Sequence, residues 1–167
     1  MRMPMIWRDD DILWQASTLE QLLRVDDLLK RYRQPHTIAI LAESLTPAIA
    51  KAILERRMIP QLHAWRHDDL SVDAKARGEL AQAITKIEEL CGRRPMVLYP
   101  PWNRTSPELE AVARELGLIV STVKLSLEQY IRVEGDVDCE TINFHYWADE
   151  DVAQLEPALR IATRGLR

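Results

Sequence analysis

Strand-like and helix-like patterns alternate at least five times along the 167 residues, which predicts an α/β fold on a mainly parallel sheet, open or closed as a barrel. Two further observations support it. The run HTIAILA (36–42) is apolar at nearly every position, as suits a strand covered on both faces. Polar clusters fall at the ends of such runs: Asp9 to Asp11, His63 with His67, PPWNR at 100–104, and His145. In parallel sheets and barrels, sites form where strands end, so four clusters at four such ends would converge.

The elements follow in order. Residues 3–8, MPMIWR, read as a short buried strand running into the three aspartates. A helix follows, opened by a capping box of Ser17 with Glu20 or Thr18 with Gln21. Leu19, Leu22, Leu23, Leu28, Leu29 and Tyr32 keep helical spacing, and Pro35 ends it. After the strand at 36–42, Thr46 and Pro47 open a second helix through about Arg57. MIPQL (58–62) is a third strand with His63 at its end. Ser71 is the expected cap of a long helix carrying Leu80, Ile84, Ile87 and Leu90 and stopping at Gly92. MVLY (96–99) is a fourth strand. Pro107 begins a helix to Leu116, and LIVST is a fifth strand. YIRVE (130–134) and TINFHYW (141–147) read as further strands. The last helix, within 148–163, is expected to be interrupted or delayed by Pro157.

Composition bounds the function. Net charge is −4 and the charges are mixed along the chain, so no basic stripe argues for nucleic acid and no basic amphipathic helix for a membrane. Cys91 and Cys139 are far apart and give no disulfide framework. The start, MRMPMIWRDDD, lacks the apolar core of a signal peptide. One domain over 1–167 in the cytoplasm is the expectation. A homodimer would cover exposed strand edges in so small a sheet.

The clusters suggest chemistry. In a continuous strand, His63 and His67 would lie about 13 Å apart, too far to share a metal. If the chain turns helically after Leu62, they become neighbours and can chelate. The alternative is a solvated pair. Three adjacent carboxylates repel one another, and a divalent cation would relieve that; a solvated acidic turn is the other option. A catalytic zinc commonly has three protein ligands and an open position, which two histidines and one aspartate would fill. A second aspartate could then take a proton from water. Pro100 and Pro101 stiffen their loop. One reading puts Arg104 beside the carboxylates and Trp102, with Asn103, in a pocket wall; the alternative is a rigid connector with a packed indole. His145 is a candidate general acid for a leaving group.

Together these residues resemble the polysaccharide deacetylase family, the NodB-homology, carbohydrate esterase 4-like group of metal-dependent amide hydrolases. RDDD matches its aspartate pair, HAWRH its histidine pair, YPPWNR its double-proline loop, and NFHYW its late histidine, in the family's order. More narrowly, the set resembles a bacterial subgroup with RDDD, HGWxH and PPWNR. The resemblance implies a distorted, small (β/α) barrel of fewer than eight units. It implies a divalent metal, zinc first, on Asp11, His63 and His67. RDDDI permits Asp9 with Asp10 or Asp10 with Asp11 as the pair; related chains place it directly before an apolar residue, which would make Asp10 the base and Asp11 the ligand, with His145 the acid. Three departures stand out. Tyr99 replaces the arginine usual before the prolines, which makes Arg104 its expected substitute in orienting the base. Ala64 replaces a common glycine. The chain is short and shows no export signal, so a small-molecule or oligosaccharide substrate fits better than a wall polymer. Trp65 and Trp102 are candidates to stack on a sugar. Two other readings stay open: hydrolysis of another carbon–nitrogen bond, as in cyclic imides or ureides, and a metal-holding barrel that only binds a partner.

Overall fold

The computed structural model describes residues 5–12, 18–72, 74–122, 124–132 and 141–164. In chain order these form β1 (Ile6–Ile12), α1 (Leu19–Arg31), β2 (His36–Leu41), α2 (Pro47–Glu55), β3 (Ile59–Ala64), α3 (Ala76–Cys91), β4 (Val97–Leu98), α4 (Pro107–Glu115), β5 (Ile119–Val120), β6 (Leu125–Ser126), α5 (Leu127–Arg132), β7 (Thr141–Phe144) and α6 (Asp149–Ala162). The seven strands make one sheet, ordered β5-β4-β3-β2-β1-β7-β6, and every neighbouring pair is parallel. β5 and β6 do not pair, so the barrel is incomplete, with fewer than eight strands as expected.

The sheet curls. β1 and β4 are three strand spacings apart, about 14 Å if the sheet were flat. Yet the Arg8 guanidinium on β1 lies 4.3 Å from the centre of the Tyr99 ring, just after β4. Side chains standing upright on a flat sheet would not meet across that gap.

The core forms as the apolar spacing dictates. β2 is buried at all six positions. In α1, Leu22, Val25, Asp26 and Leu29 are buried at i, i+3, i+4 and i+7. Thr18 and Gln21 make the capping box, each satisfying the other's backbone N–H. Ser106 caps α4 with Pro107 in its first turn. Gly92 closes α3 in the left-handed conformation, φ 62°, which glycine adopts without steric penalty.

Several expectations are corrected. β1 runs on through the aspartates instead of ending before them. Residues 130–132 belong to helix α5, not to a strand, and 133–140 lie outside the described residues. The reason is local: Ser126 Oγ accepts from Gln129 N while Gln129 Oε1 accepts from Ser126 N, a capping box that starts a helix. Leu127 and Tyr130, three apart, then bury one face. Ser71 does not cap α3. Its backbone N–H and hydroxyl both bond the Asp69 carboxylate, and α3 starts at Ala76 without a side-chain cap. α6 is continuous through Pro157. No helix among the described residues is long and apolar enough to cross a membrane.

Candidate active site

The three aspartates have three different neighbourhoods, because β1 is irregular where they lie. Asp9 pairs with Ile38 and Ile12 with Ile40, so β1 holds one extra residue there. Asp11 occupies that bulge with φ 57°, a left-handed conformation that aspartate tolerates better than most residues. In a regular strand, Asp10 and Asp11 would point to opposite faces. The bulge breaks that alternation. β3 bulges too: Ile40 pairs with Leu62 but Leu41 with Ala64, so the extra residue is His63.

These two bulges bring Asp11 to the histidines. Asp11 Oδ1 lies 2.8 Å from His63 Nε2 and 3.0 Å from His67 Nε2. His67 reaches the cluster through a bend at 65–67 after β3, not the helical turn expected from the sequence. The two imidazole centroids are 5.3 Å apart.

This set fits a divalent cation. His63 Nδ1 is 2.5 Å from the Tyr99 carbonyl oxygen, which only accepts, so Nδ1 is the donor. In the neutral ring, Nε2 then carries a lone pair aimed at a carboxylate oxygen. A proton or a metal ion must lie between them. One ligand atom from each of Asp11, His63 and His67 lies within 4.8 Å of the others. Two ligands about 2.0–2.1 Å from a tetrahedral ion sit about 3.3 Å apart, near the spacing seen. Burial alone would raise the Asp11 pKa, but hydrogen bonds and charge from His63 and His67 hold it far below the usual carboxylate range.

Asp10 meets a different cation from the one expected. Arg8 Nε donates to Asp10 Oδ1 at 2.6 Å, and Nη2 donates to Oδ2, a bidentate pair. Arg8 is fully buried, over the Tyr99 ring, and Nη2 also reaches Asn103 Oδ1 at 3.2 Å. Arg104 instead pairs with Asp69 at 2.8 Å, with 63% of its side chain exposed. The guanidinium on the base candidate is therefore supplied by β1, two residues before it. Arg8 opens the RDDD motif but the sequence assigns it no role, because a strand arginine two residues from an aspartate is an ordinary surface pattern until the strand is buried on both faces.

His145 follows β7. Its Nε2 is 3.6 Å from Asp11 Oδ2, so it joins the same cluster. Its Nδ1 is 2.9 Å from Asp151 Oδ2, which also accepts from the His145 backbone N–H. Burial would lower the His145 pKa, but the Asp151 bond and the charges of Asp11, Asp10 and Asp151 raise it. Asp151, in the first turn of α6, was not singled out from the sequence, where acidic residues at a helix start are routine.

The double-proline loop is strained where it meets the site. Trp102 and Asn103 both have left-handed backbones, φ 53° and 55°. Trp102 is 56% exposed and its ring meets His67 edge-on at 4.4 Å, which places it at the rim. Asn103 is turned inward: Oδ1 accepts from Arg8 and Nδ2 donates to the Thr122 carbonyl at 3.2 Å. It braces Arg8. Trp65 lines a separate cleft with Gln82, Thr85 and Lys86 of α3, and the Lys86 ammonium covers its ring at 5.3 Å. Lys124, half-buried, donates to Asn143 Oδ1 at 2.8 Å.

Solved structures share this architecture. A family 4 carbohydrate esterase from Streptomyces lividans, in complex with acetate, superposes with a TM-score of 0.79 at 16% identity, over 98% of this chain and 88% of that one. The peptidoglycan deacetylase PdaC from Bacillus subtilis matches with a TM-score of 0.78 at 18% identity, over 97% and 84%. BA3943 from Bacillus anthracis, a family 4 pseudoenzyme, matches with a TM-score of 0.80 at 14% identity, over 97% of this chain and 61% of that one. At these identities the likeness shows the fold. No curated protein sequence matches the chain. The sequence model for polysaccharide deacetylase matches residues 10–121, about two thirds of the chain, from Asp10 past the double-proline loop and short of His145. This protein belongs to the polysaccharide deacetylase family.

Proposed function

We propose that the protein is a zinc-dependent hydrolase of N-acyl amides, acting on N-acetyl groups of a small amino sugar or oligosaccharide. One observation carries the proposal: Asp11, His63 and His67 converge within ligand distance, with His145 in the same cluster and close enough to feel the charge of Asp10. A divalent ion held there would supply an acidified water and positive charge for the amide oxygen. Histidine and carboxylate donors also take cobalt, nickel or manganese.

The chain's own residues supply the rest. Asp10 takes the proton from the attacking water. Arg8 grips both Asp10 oxygens, fixing the carboxylate plane and leaving the remaining lone pairs for that proton. His145 Nε2 donates to the departing nitrogen. Its Nδ1–H, directed at Asp151, keeps Nε2 aimed at the cluster. Trp102, exposed beside His67, offers a sugar ring its face.

Among the relatives, one is named a peptidoglycan deacetylase, and another is an acetyl xylan esterase from Clostridium thermocellum in complex with cobalt. The pseudoenzyme relative keeps the binding-only reading in view. The Arg8–Asp10 pair speaks against it here, since a binding module has no use for an oriented base.

The test is acetate release from N-acetylglucosamine oligomers by zinc-loaded protein, with cyclic imides and ureides run in parallel. Acetate release that His63→Ala abolishes supports the proposal. Turnover of the imides alone would transfer the site to that chemistry. Full activity in a metal-free His63→Ala variant would sink both.

A further inference from the structure

The first aspartate of the three, Asp9, has no part in the cluster just described. Along β1, Trp7 and Asp9 face the helices while Arg8 and Asp10 face the barrel interior. Asp9 is fully buried. Its Oδ1 accepts from the Tyr146 backbone N–H at 2.9 Å, and its Oδ2 lies 3.1 Å from His36 Nε2. His36, buried on β2, has its other ring nitrogen 3.2 Å from Asp26 Oδ1 of α1. Asp26 in turn accepts from Lys30 Nζ at 2.6 Å and Arg56 Nη1 at 3.4 Å. The His36 ring also stacks near-parallel on Phe144, centroids 6.2 Å apart.

A chain of ionisable groups thus crosses the helix side of the sheet and ends on residues 144 and 146. Between those two lies His145. β7 stops at Phe144, so no ladder bond of the sheet fixes the next residue. Buried charges are costly and persist where they are paired and fully bonded. An apolar residue at position 9 would fill the same space more cheaply but would leave the Tyr146 N–H without its acceptor.

We propose that Asp9 is a positioning residue for His145, with His36 and Asp26 as the strut behind it: Asp9 pins the Tyr146 amide, His36 pins Asp9 and Phe144, and together they fix where the His145 ring stands relative to Asp11. This rests on reading His145 as the proton donor. The RDDD stretch then has one aspartate for each of three tasks: holding the acid's loop, taking the water's proton, and holding the metal.

The test compares Asp9→Asn with Asp9→Val in zinc-loaded protein. Asparagine keeps an oxygen for Tyr146 N–H and an amide donor for His36 Nε2; valine keeps neither. The expected result is a kcat within about threefold of wild type for D9N. For D9V, kcat falls at least about tenfold, the size of effect a misplaced acid gives, while KM stays within about twofold and zinc remains bound. A folded, zinc-loaded D9V with wild-type kcat would overturn the proposal. Two NMR observations judge the strut without activity. In the wild type, the Tyr146 amide should exchange with solvent only as slowly as the core strands, and fast exchange would overturn the proposal even if D9V fails to fold. The His145 ring resonances should match wild type in D9N and move in H36L. A wild type that exchanges slowly at Tyr146 but releases no acetate would refute the catalytic reading and leave the strut standing.

Discussion

The two halves of the sheet are built differently. β1, β2 and β3 are six or seven residues long and tied by long parallel ladders, each interrupted by one bulge. β4, β5 and β6 have two residues each. In the first half, backbone ladders do the holding, and the functional side chains come from bulges in those ladders. In the second half the parallel ladders are short, and side chains supplement them. Gln61 Oε1 accepts from both Met96 and Val97 N–H, and Asn103 bridges Arg8 to the Thr122 carbonyl. The comparison teaches where precision is located. The proposed metal donors Asp11 and His63 sit on the rigid half, and what faces them from the loop-built half depends on a few amides and Arg8.

Three perturbations would break or sharpen that contrast. The largest effect is expected at Asp10→Asn. It keeps the shape but removes the base, so kcat should fall about 10²–10⁴-fold while metal content is unchanged. Loss of metal together with activity would mean that Asp10, not only Asp11, is a ligand.

The next is the pair Arg8→Met and Arg104→Met. Arg8 is the buried tie between the halves, and removing it strands Asp10 uncompensated. Chemical denaturation should show a loss of about 3–5 kcal/mol. The exposed Arg104–Asp69 pair should give no more than about 1 kcal/mol. Equal losses would contradict the assignment of Arg8 as the tie.

The smallest is Ser126→Ala in the short half. Losing the hydroxyl that accepts from Gln129 N should cost about 1 kcal/mol by thermal unfolding, with activity unchanged.

Much of this was legible in the sequence, and the gaps have physical reasons. The long strands and helices announced themselves through apolar spacing, as β2 and α1 do. His63 and His67 were legible by residue type at one strand end, and Asp11 only through the resemblance, since three adjacent aspartates left the register of the pair open. Their route together was not, since bulges depend on register against a neighbour, which one strand's sequence does not encode. α5 was missed because YIRVE is rich in residues strands favour, while its capping box lies four residues upstream at Ser126. The sequence makes Asn103 a pocket-wall residue, Trp65 a sugar-stacking candidate and Arg104 the substitute for the arginine missing at Tyr99. The structure turns Asn103 inward, Trp65 onto α3 and Arg104 onto Asp69, each to satisfy a local partner.

The central claim is that HAWRH and the β1 bulge form one metal site. Elemental analysis of protein purified without added metal, then offered zinc, tests it most directly, on wild type and His67→Ala. The account predicts close to one zinc per wild-type chain and loss of that zinc in the variant. No bound metal in either protein, even after zinc is supplied, would contradict it and would make the contacts of His63 and His67 with Asp11 ion pairs of the fold alone.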